Sequence, residues 1–276
     1  MAEAFAERLR RAVAGAGPLV VGIDPSPAVA RAWGVAGDAP GLRSIARTLL
    51  SACGPYAVAV KVQVAFFERL GARGYGALEA VLEEARETEL LVIADAKRGD
   101  IGSSNEGYAD AWLAPDSPLA VDAVTASPYL GVEALAPLVA RAAPVGRGVF
   151  VLARTSNPEG ERLQGARTAE GTAVGEDVVS QVRVWNAGAA AGALGVVVGA
   201  TVAGEVDLGG LGGPVLVPGV GAQGGTAEDV RRVTASAAPH SVVVSVSRAL
   251  SDLGPDPRRL AAAAQHWRDD LVRTLS

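Results

Sequence analysis

The densest chemistry in the chain lies in Ile93-Ala-Asp-Ala-Lys-Arg-Gly-Asp-Ile101. Side chains of a strand alternate between its faces, so Asp95 and Lys97 point the same way. Asp100 follows in the turn that Gly99 begins, which brings two carboxylates and an ammonium together. In a partly dry site, opposite unit charges ~4 Å apart attract by about 4 kcal/mol at an effective dielectric of roughly 20. Such a lattice keeps the lysine protonated and the aspartates ionised. The same charges also suit a salt-bridge network on a barrel rim. A divalent cation on the aspartates is disfavoured, because the lysine between them repels it.

A second cluster is Val217-Pro-Gly-Val-Gly-Ala-Gln-Gly-Gly225, which leads into a helix opening at Thr226. Glycine-rich backbone can offer successive N–H groups to an anion, although glycines also serve tight turns. Ser247-Arg248 stands further on, and Arg248 can supply a bidentate, charge-assisted clamp. Together these residues suit a phosphorylated small molecule held at one end of a site. Fixed charges at the other end can destabilise an anion and supply a proton.

The elements that must position these residues recur as one unit: a short apolar run, a loop, then an Ala/Leu/Arg/Glu-rich helical stretch. The runs are Leu19 to Asp24, Ala57 to Val62, Leu90 to Asp95, Ala120 to Thr125, Gly148 to Ala153, Gly195 to Gly199, Pro214 to Pro218 and Ser241 to Ser245. Most are continuously apolar, as expected of parallel strands buried on both faces. Ala77 to Thr88 and Thr226 to Ala235 carry helical periodicity. The pattern predicts an α/β fold, a single-domain (β/α)8 TIM barrel over residues 1–276, with an open doubly wound sheet as the alternative. In a barrel, the strand ends carrying Asp24, Lys61, Asp95, Lys97, Asp100, Thr125, Arg154, Ser156, Gln223, Ser247 and Arg248 form one face. The loops after strands 7 and 8 are the common phosphate site of that fold. Thr155 to Asp177 reads as a long polar, aperiodic loop, either a lid or a surface insertion.

Composition narrows the chemistry. Cys53 is the only cysteine and His240 and His266 the only histidines among 276 residues, which argues against disulfides, zinc sites and Ser-His-Asp catalysis. A net charge of -5 gives no pull toward nucleic acid or an anionic membrane. Met1 to Val13 lacks a signal-peptide core. Ala187 to Gly204 is apolar enough to raise a membrane span, but its Gly and Ala content reads as a helix end, a turn and a strand. The expectation is a cytoplasmic enzyme.

Asp95-Ala-Lys-Arg-Gly-Asp-Ile101 resembles the Asp-x-Lys-x-x-Asp signature of the orotidine 5'-phosphate decarboxylase family. The resemblance extends from Val20-Val-Gly-Ile-Asp-Pro25 through Lys61 and Pro218-Gly-Val-Gly-Ala-Gln-Gly-Gly225 to Ser247-Arg248, and Ala153-Arg-Thr-Ser-Asn-Pro158 looks like its longer bacterial branch. It implies conversion of orotidine 5'-monophosphate to uridine 5'-monophosphate in de novo pyrimidine biosynthesis, with no metal and no cofactor. Asp24 and Lys61 would hold ribose hydroxyls, and Lys61, Asp95, Lys97 and Asp100 would form the charged array. Asp95 would stress the substrate carboxylate and Lys97 would protonate C6. The family works as a homodimer, so Asp100, accompanied by Ser104, would enter the neighbouring subunit's site. Ser156 would contact the pyrimidine, and Gln223 and Arg248 the phosphate. This chain departs from shorter members at Thr125-Ala-Ser-Pro-Tyr129 and in the loop after Ser156. A magnesium-dependent sugar-phosphate decarboxylase or aldolase on a related barrel is one alternative reading. A non-catalytic phosphate-binding barrel is another.

Overall fold

The computed structural model describes residues 2–204 and 206–275. Within them, eight parallel strands close into a barrel in sequence order. They are β1 (Leu19–Ile23), β2 (Ala59–Gln63), β3 (Leu91–Arg98), β4 (Ala123–Ala126), β5 (Gly148–Arg154), β6 (Leu194–Val198), β7 (Val215–Val217) and β8 (Val242–Val246). Helix α1 (Phe5–Ala16) precedes β1; α2 (Pro27–Ala32) and α3 (Ala39–Cys53) join β1 to β2; α4 (Val64–Glu68) and α5 (Ala72–Arg86) join β2 to β3. They are followed by α6 (Gly102–Leu113) after β3, α7 (Ala136–Ala142) after β4, and α8 (Pro158–Gln164) and α9 (Val174–Asn186) after β5. Helix α10 (Ala227–Val233) follows β7, and α11 (Arg248–Ser251) and α12 (Pro257–Leu275) complete the chain.

Every residue of β1, β4, β6 and β7 is buried. Valine dominates these strands because its branched Cβ fits a pleat covered on both sides. One apolar cluster fills the space between strands and helices. A second fills the barrel's interior below the strand ends, with Val20, Ile93, Phe150 and Leu216 among its members. Helix α1 presents Phe5, Leu9 and Val13 at four-residue spacing, the stripe of a helix with one buried face. Phe5 stands edge-on to Phe150, with ring centroids 5.8 Å apart. A Cβ at Gly148 would lie 2.2 Å from the Phe5 ring, so only glycine lets the ring seat there. The helix thereby closes the end of the barrel opposite the polar strand ends.

Three sequence expectations shift. The fourth run begins as coil at Ala120 and pairs only from Ala123, because the Asp122 carboxylate accepts the Val92 N–H at 2.9 Å and pairs with Arg8 at 2.6 Å. The third strand runs on past Asp95 to Arg98, with an irregular register against β4. The supposed loop from Thr155 contains α8 and the first turn of α9; its short helix escapes a periodicity reading because none of its residues is buried. Ala187 to Gly204 forms a turn and then β6, and among the described residues no helix is long and apolar enough to cross a membrane. The sole cysteine is buried, which pushes its thiol up to about 12.

Candidate active site

The strand ends enclose a cavity of about 300 Å³ lined by Asp24, Lys61, Asp95, Lys97, Ser156, Gln223 and Arg248, among others. With Thr125 and Ser247, nine of the eleven strand-end residues expected from sequence therefore converge on one space. A larger cleft of about 660 Å³ lies outside the barrel between α9 and α10, but its lining, which includes Glu176, Arg183 and Arg232, contains no residue from the strand ends. The smaller cavity is the chemical one, because only there are charges both converging and desolvated.

Its buried end is an ionic lattice. Lys61, 4% exposed, places Nζ 2.8 Å from Asp95 Oδ2 and 4.0 Å from Asp24 Oδ1. Lys97 Nζ reaches Asp95 Oδ1 at 2.5 Å. Burial is the strongest single influence on Asp95 and favours its neutral form, but Lys61 and Lys97 together outweigh it and hold the carboxyl well below the usual range. Burial likewise pushes Lys61 down, yet Asp95 and Asp24 reverse that and raise it above an ordinary lysine. Asp95 is thus an anion and Lys61 a cation across the neutral pH range. Among the described residues one lattice oxygen, Asp24 Oδ1, is buried without a hydrogen bond.

Asp100 departs from the expectation drawn from spacing. It does not join the lysines of its own chain: its carboxylate accepts the Ile101 N–H at 2.8 Å and it does not line the cavity. The second carboxylate near Lys61 is Asp24 instead. Asn105, fully buried on α6, accepts the Asp100 N–H at 3.0 Å and donates to the carbonyls of Asp100 and Ala134. The backbone around Asp100 is therefore clamped while its side chain sits at the rim. Ser104 is exposed on the first turn of α6, outside the same cavity. Sequence reading missed Asn105; an asparagine five residues past an aspartate gives no distinctive pattern.

The other end of the cavity is built by the loops after β5, β7 and β8. Ser156 Oγ donates to Gln223 Oε1 at 2.6 Å. That bridge passes over Gly219, whose φ of 97° and 3.0 Å approach of an added Cβ to Gln223 Oε1 leave room for glycine only. The glycine segment uses the N–H groups of Gly221, Gly224 and Gly225 within its own turns, so fewer remain for an anion than its composition suggests. Thr226 then caps α10 in a reciprocal pair with Asp229. Arg248 opens α11, exposed, and its guanidinium has no partner among the described residues. On α8, Gln164 accepts the Thr155 N–H at 2.8 Å and donates to its hydroxyl at 2.8 Å, which ties that helix to the base of the Ser156 loop. Arg154, buried at the end of β5, does not line the cavity; it pairs with Glu161 of α8 at 2.9 Å. Among the described residues, no three His, Cys, Asp or Glu side chains converge as a metal-ligand set.

Fold and site together define a TIM-barrel enzyme with a desolvated charge lattice at one end of its mouth and an unpaired guanidinium at the other. The orotidine 5'-phosphate decarboxylase / HUMPS family model matches residues 17–264. An orotidine 5'-phosphate decarboxylase of Salinispora arenicola is 52% identical over 99% of both chains. A crystal structure from Streptomyces avermitilis, provisionally named an orotidine 5'-phosphate decarboxylase, superposes with a TM-score of 0.92 at 44% identity, covering 99% of this chain and 96% of that one. The Leishmania donovani OMP decarboxylase structure gives 0.78 at 30% identity over 99% of both. The chain belongs to the orotidine 5'-phosphate decarboxylase family, and its enzyme class is that of the carboxy-lyases.

Proposed function

We propose that the chain converts orotidine 5'-monophosphate to uridine 5'-monophosphate and carbon dioxide, in de novo pyrimidine biosynthesis, with no metal or cofactor. The observation that carries this reading is the lattice in which one buried carboxylate, Asp95, lies between two ammonium groups. In this mechanism the substrate carboxylate lies against Asp95, and their repulsion is relieved as carbon dioxide leaves. The C6–carboxyl bond breaks and its electron pair stays on C6. Lys97 stabilises that pair, delivers a proton to C6, and is reprotonated from solvent. Interactions that strengthen only in the transition state raise the rate, and charges already fixed in place need no reorganisation as the reaction proceeds.

Asp24 and Lys61 hold the ribose hydroxyls, Ser156 the pyrimidine, and Gln223 and Arg248 the phosphate. The phosphate is remote from C6, and its binding energy draws the β5 and β7 loops over the site. The whole chain, residues 1–276, acts as one domain in the cytoplasm and pairs as a homodimer. Asp100 and Ser104 serve the partner's site. Their position outside their own cavity supports this, as do the exposed apolar side chains of Ile101, Tyr129 and Leu130, which are 63%, 76% and 53% exposed.

The direct test is loss of orotidine 5'-monophosphate absorbance with purified protein in EDTA. Turnover that survives EDTA is expected. Activity that returns only with magnesium would favour a sugar-phosphate-type barrel enzyme, and binding without turnover a silent phosphate-binding barrel.

A further inference from the structure

Lys97 is one of three non-glycine residues with positive φ among those described, at 47°. Lysine has no intrinsic reason to enter the left-handed region, so its surroundings must hold it there. The register between β3 and β4 shows how. Ala94 pairs with Val124 and Arg98 with Ala126, so Asp95, Ala96 and Lys97 together face the single residue Thr125. In that stretch the β3 backbone bulges away from its neighbour and loses regular ladder bonds. The Thr125 side chain substitutes for them. Its Oγ accepts the Lys97 N–H at 2.9 Å. Its hydroxyl proton goes to Asp95 Oδ1, also at 2.9 Å. That is the carboxylate oxygen to which Lys97 Nζ donates at 2.5 Å.

We propose that Thr125 is a positioning residue for proton delivery, fixing the Lys97 backbone and the Asp95 carboxylate relative to each other through one hydroxyl. A hydroxyl carries a single proton and two lone pairs. With the proton committed to an ionised Asp95, a lone pair is left to face the Lys97 N–H, so the two bonds reinforce each other's direction. Thr125 is 1% exposed and borders the cavity, so no water can take over the role without displacing it. Valine has the same shape but lacks the acceptor and the donor. It leaves the Lys97 N–H without a partner and lets the bulge relax toward an unstrained backbone, which moves Nζ from the reacting carbon. The inference rests on the decarboxylase reading, since it assumes that Lys97 delivers the proton.

The test compares Thr125→Val and Thr125→Ser with wild type. Displacement of a catalytic group by about 1 Å costs roughly a hundredfold in rate, and Thr125→Val should lose about that much in kcat. KM should stay within about threefold, because the substrate-gripping residues are untouched. Thr125→Ser restores the hydroxyl and should recover kcat to within about tenfold of wild type. A crystal structure of Thr125→Val should show Lys97 outside the left-handed region and its Nζ no longer bonded to Asp95. A kcat for Thr125→Val within about threefold of wild type, a loss confined to KM, or a folded serine variant as slow as valine would each overturn the proposal. Unchanged Lys97 geometry in the crystal would do the same. If valine prevents folding, Thr125→Ala is read by the same criteria. If wild type itself does not decarboxylate orotidine 5'-monophosphate, the decarboxylase reading falls instead, and the crystallographic comparison judges Thr125 alone.

Discussion

Lys97 Nζ and Asp95 Oδ1 are 2.5 Å apart, two residues from each other on the same strand, yet Asp95 is buried and the Lys97 side chain remains 45% exposed. One partner is locked in the lattice and the other reaches from it into the cavity. In the proposed mechanism this asymmetry suits a buried anion that repels a carboxylate and a partly exposed ammonium that gives up a proton. It leads to the first prediction. Lys97→Ala should abolish turnover and leave the circular dichroism of the fold unchanged, since an exposed side chain is lost. A folded variant that keeps about a tenth or more of wild-type kcat would remove Lys97 from the role of proton donor.

Arg248→Ala addresses the opposite end. Among the described residues the guanidinium has no partner, so its removal should leave thermal stability unaltered. Substrate phosphate enclosed by the loops would then lack its charge partner, at a cost of roughly 2–5 kcal/mol in kcat/KM. Steady-state kinetics that give an unchanged kcat/KM would place the phosphate elsewhere.

The lattice also makes a prediction about stability. Asp95 titrates below the ordinary carboxylate value of ~3.9. Its contribution to folding is therefore fully present above that value and is lost as pH falls toward the depressed one. Lys61 is raised, so its contribution is present below ~10.4 and is lost only as pH climbs past the raised value. Asp95→Asn leaves Lys61 buried with only the more distant Asp24, which should cost roughly 3 kcal/mol in urea unfolding at neutral pH. That deficit should be constant between about pH 5 and 8 and should shrink below about pH 4. A variant as stable as wild type, or a deficit unchanged at low pH, would show that the pair does not act as described.

A shared site is tested by complementation. Asp100→Asn and Lys97→Ala proteins should each be nearly inactive. Mixed dimers contain one doubly damaged site and one with both residues intact. With random subunit exchange, activity should return to about a quarter of wild type per total site, as two-fold symmetry requires. Exchange verified by an independent tag, with no return of activity, would confine Asp100 to its own chain.

The barrel was legible because its strands are buried on both faces and so read as uninterrupted apolar runs, punctuated by charge where they end. Asp95 and Lys97 stood out for the same reason, since two charges on an otherwise apolar strand need a partner. What lay beyond sequence was whatever depends on register. Nothing in Thr125 itself reveals that three residues of β3 stand opposite it, and nothing in Lys97 reveals a positive φ. Spacing placed Asp100 beside Lys97, but the turn at Gly99 carries it to the rim, where Asn105 fixes its backbone. Helix α8 was obscured because it packs through Glu161 and Gln164 side chains onto Arg154 and Thr155, leaving no apolar stripe to detect.

The stopper formed by Phe5 against Phe150 and Gly148 has a consequence for traffic. With its foot plugged, the cavity opens at the strand ends, and on the decarboxylase reading substrate and products would share that mouth. In the proposed mechanism carbon dioxide would be released beside buried Asp95, deeper in the barrel than exposed Arg248. Its way out would then pass the nucleotide in the mouth, so on that mechanism the smaller product would be the first to leave.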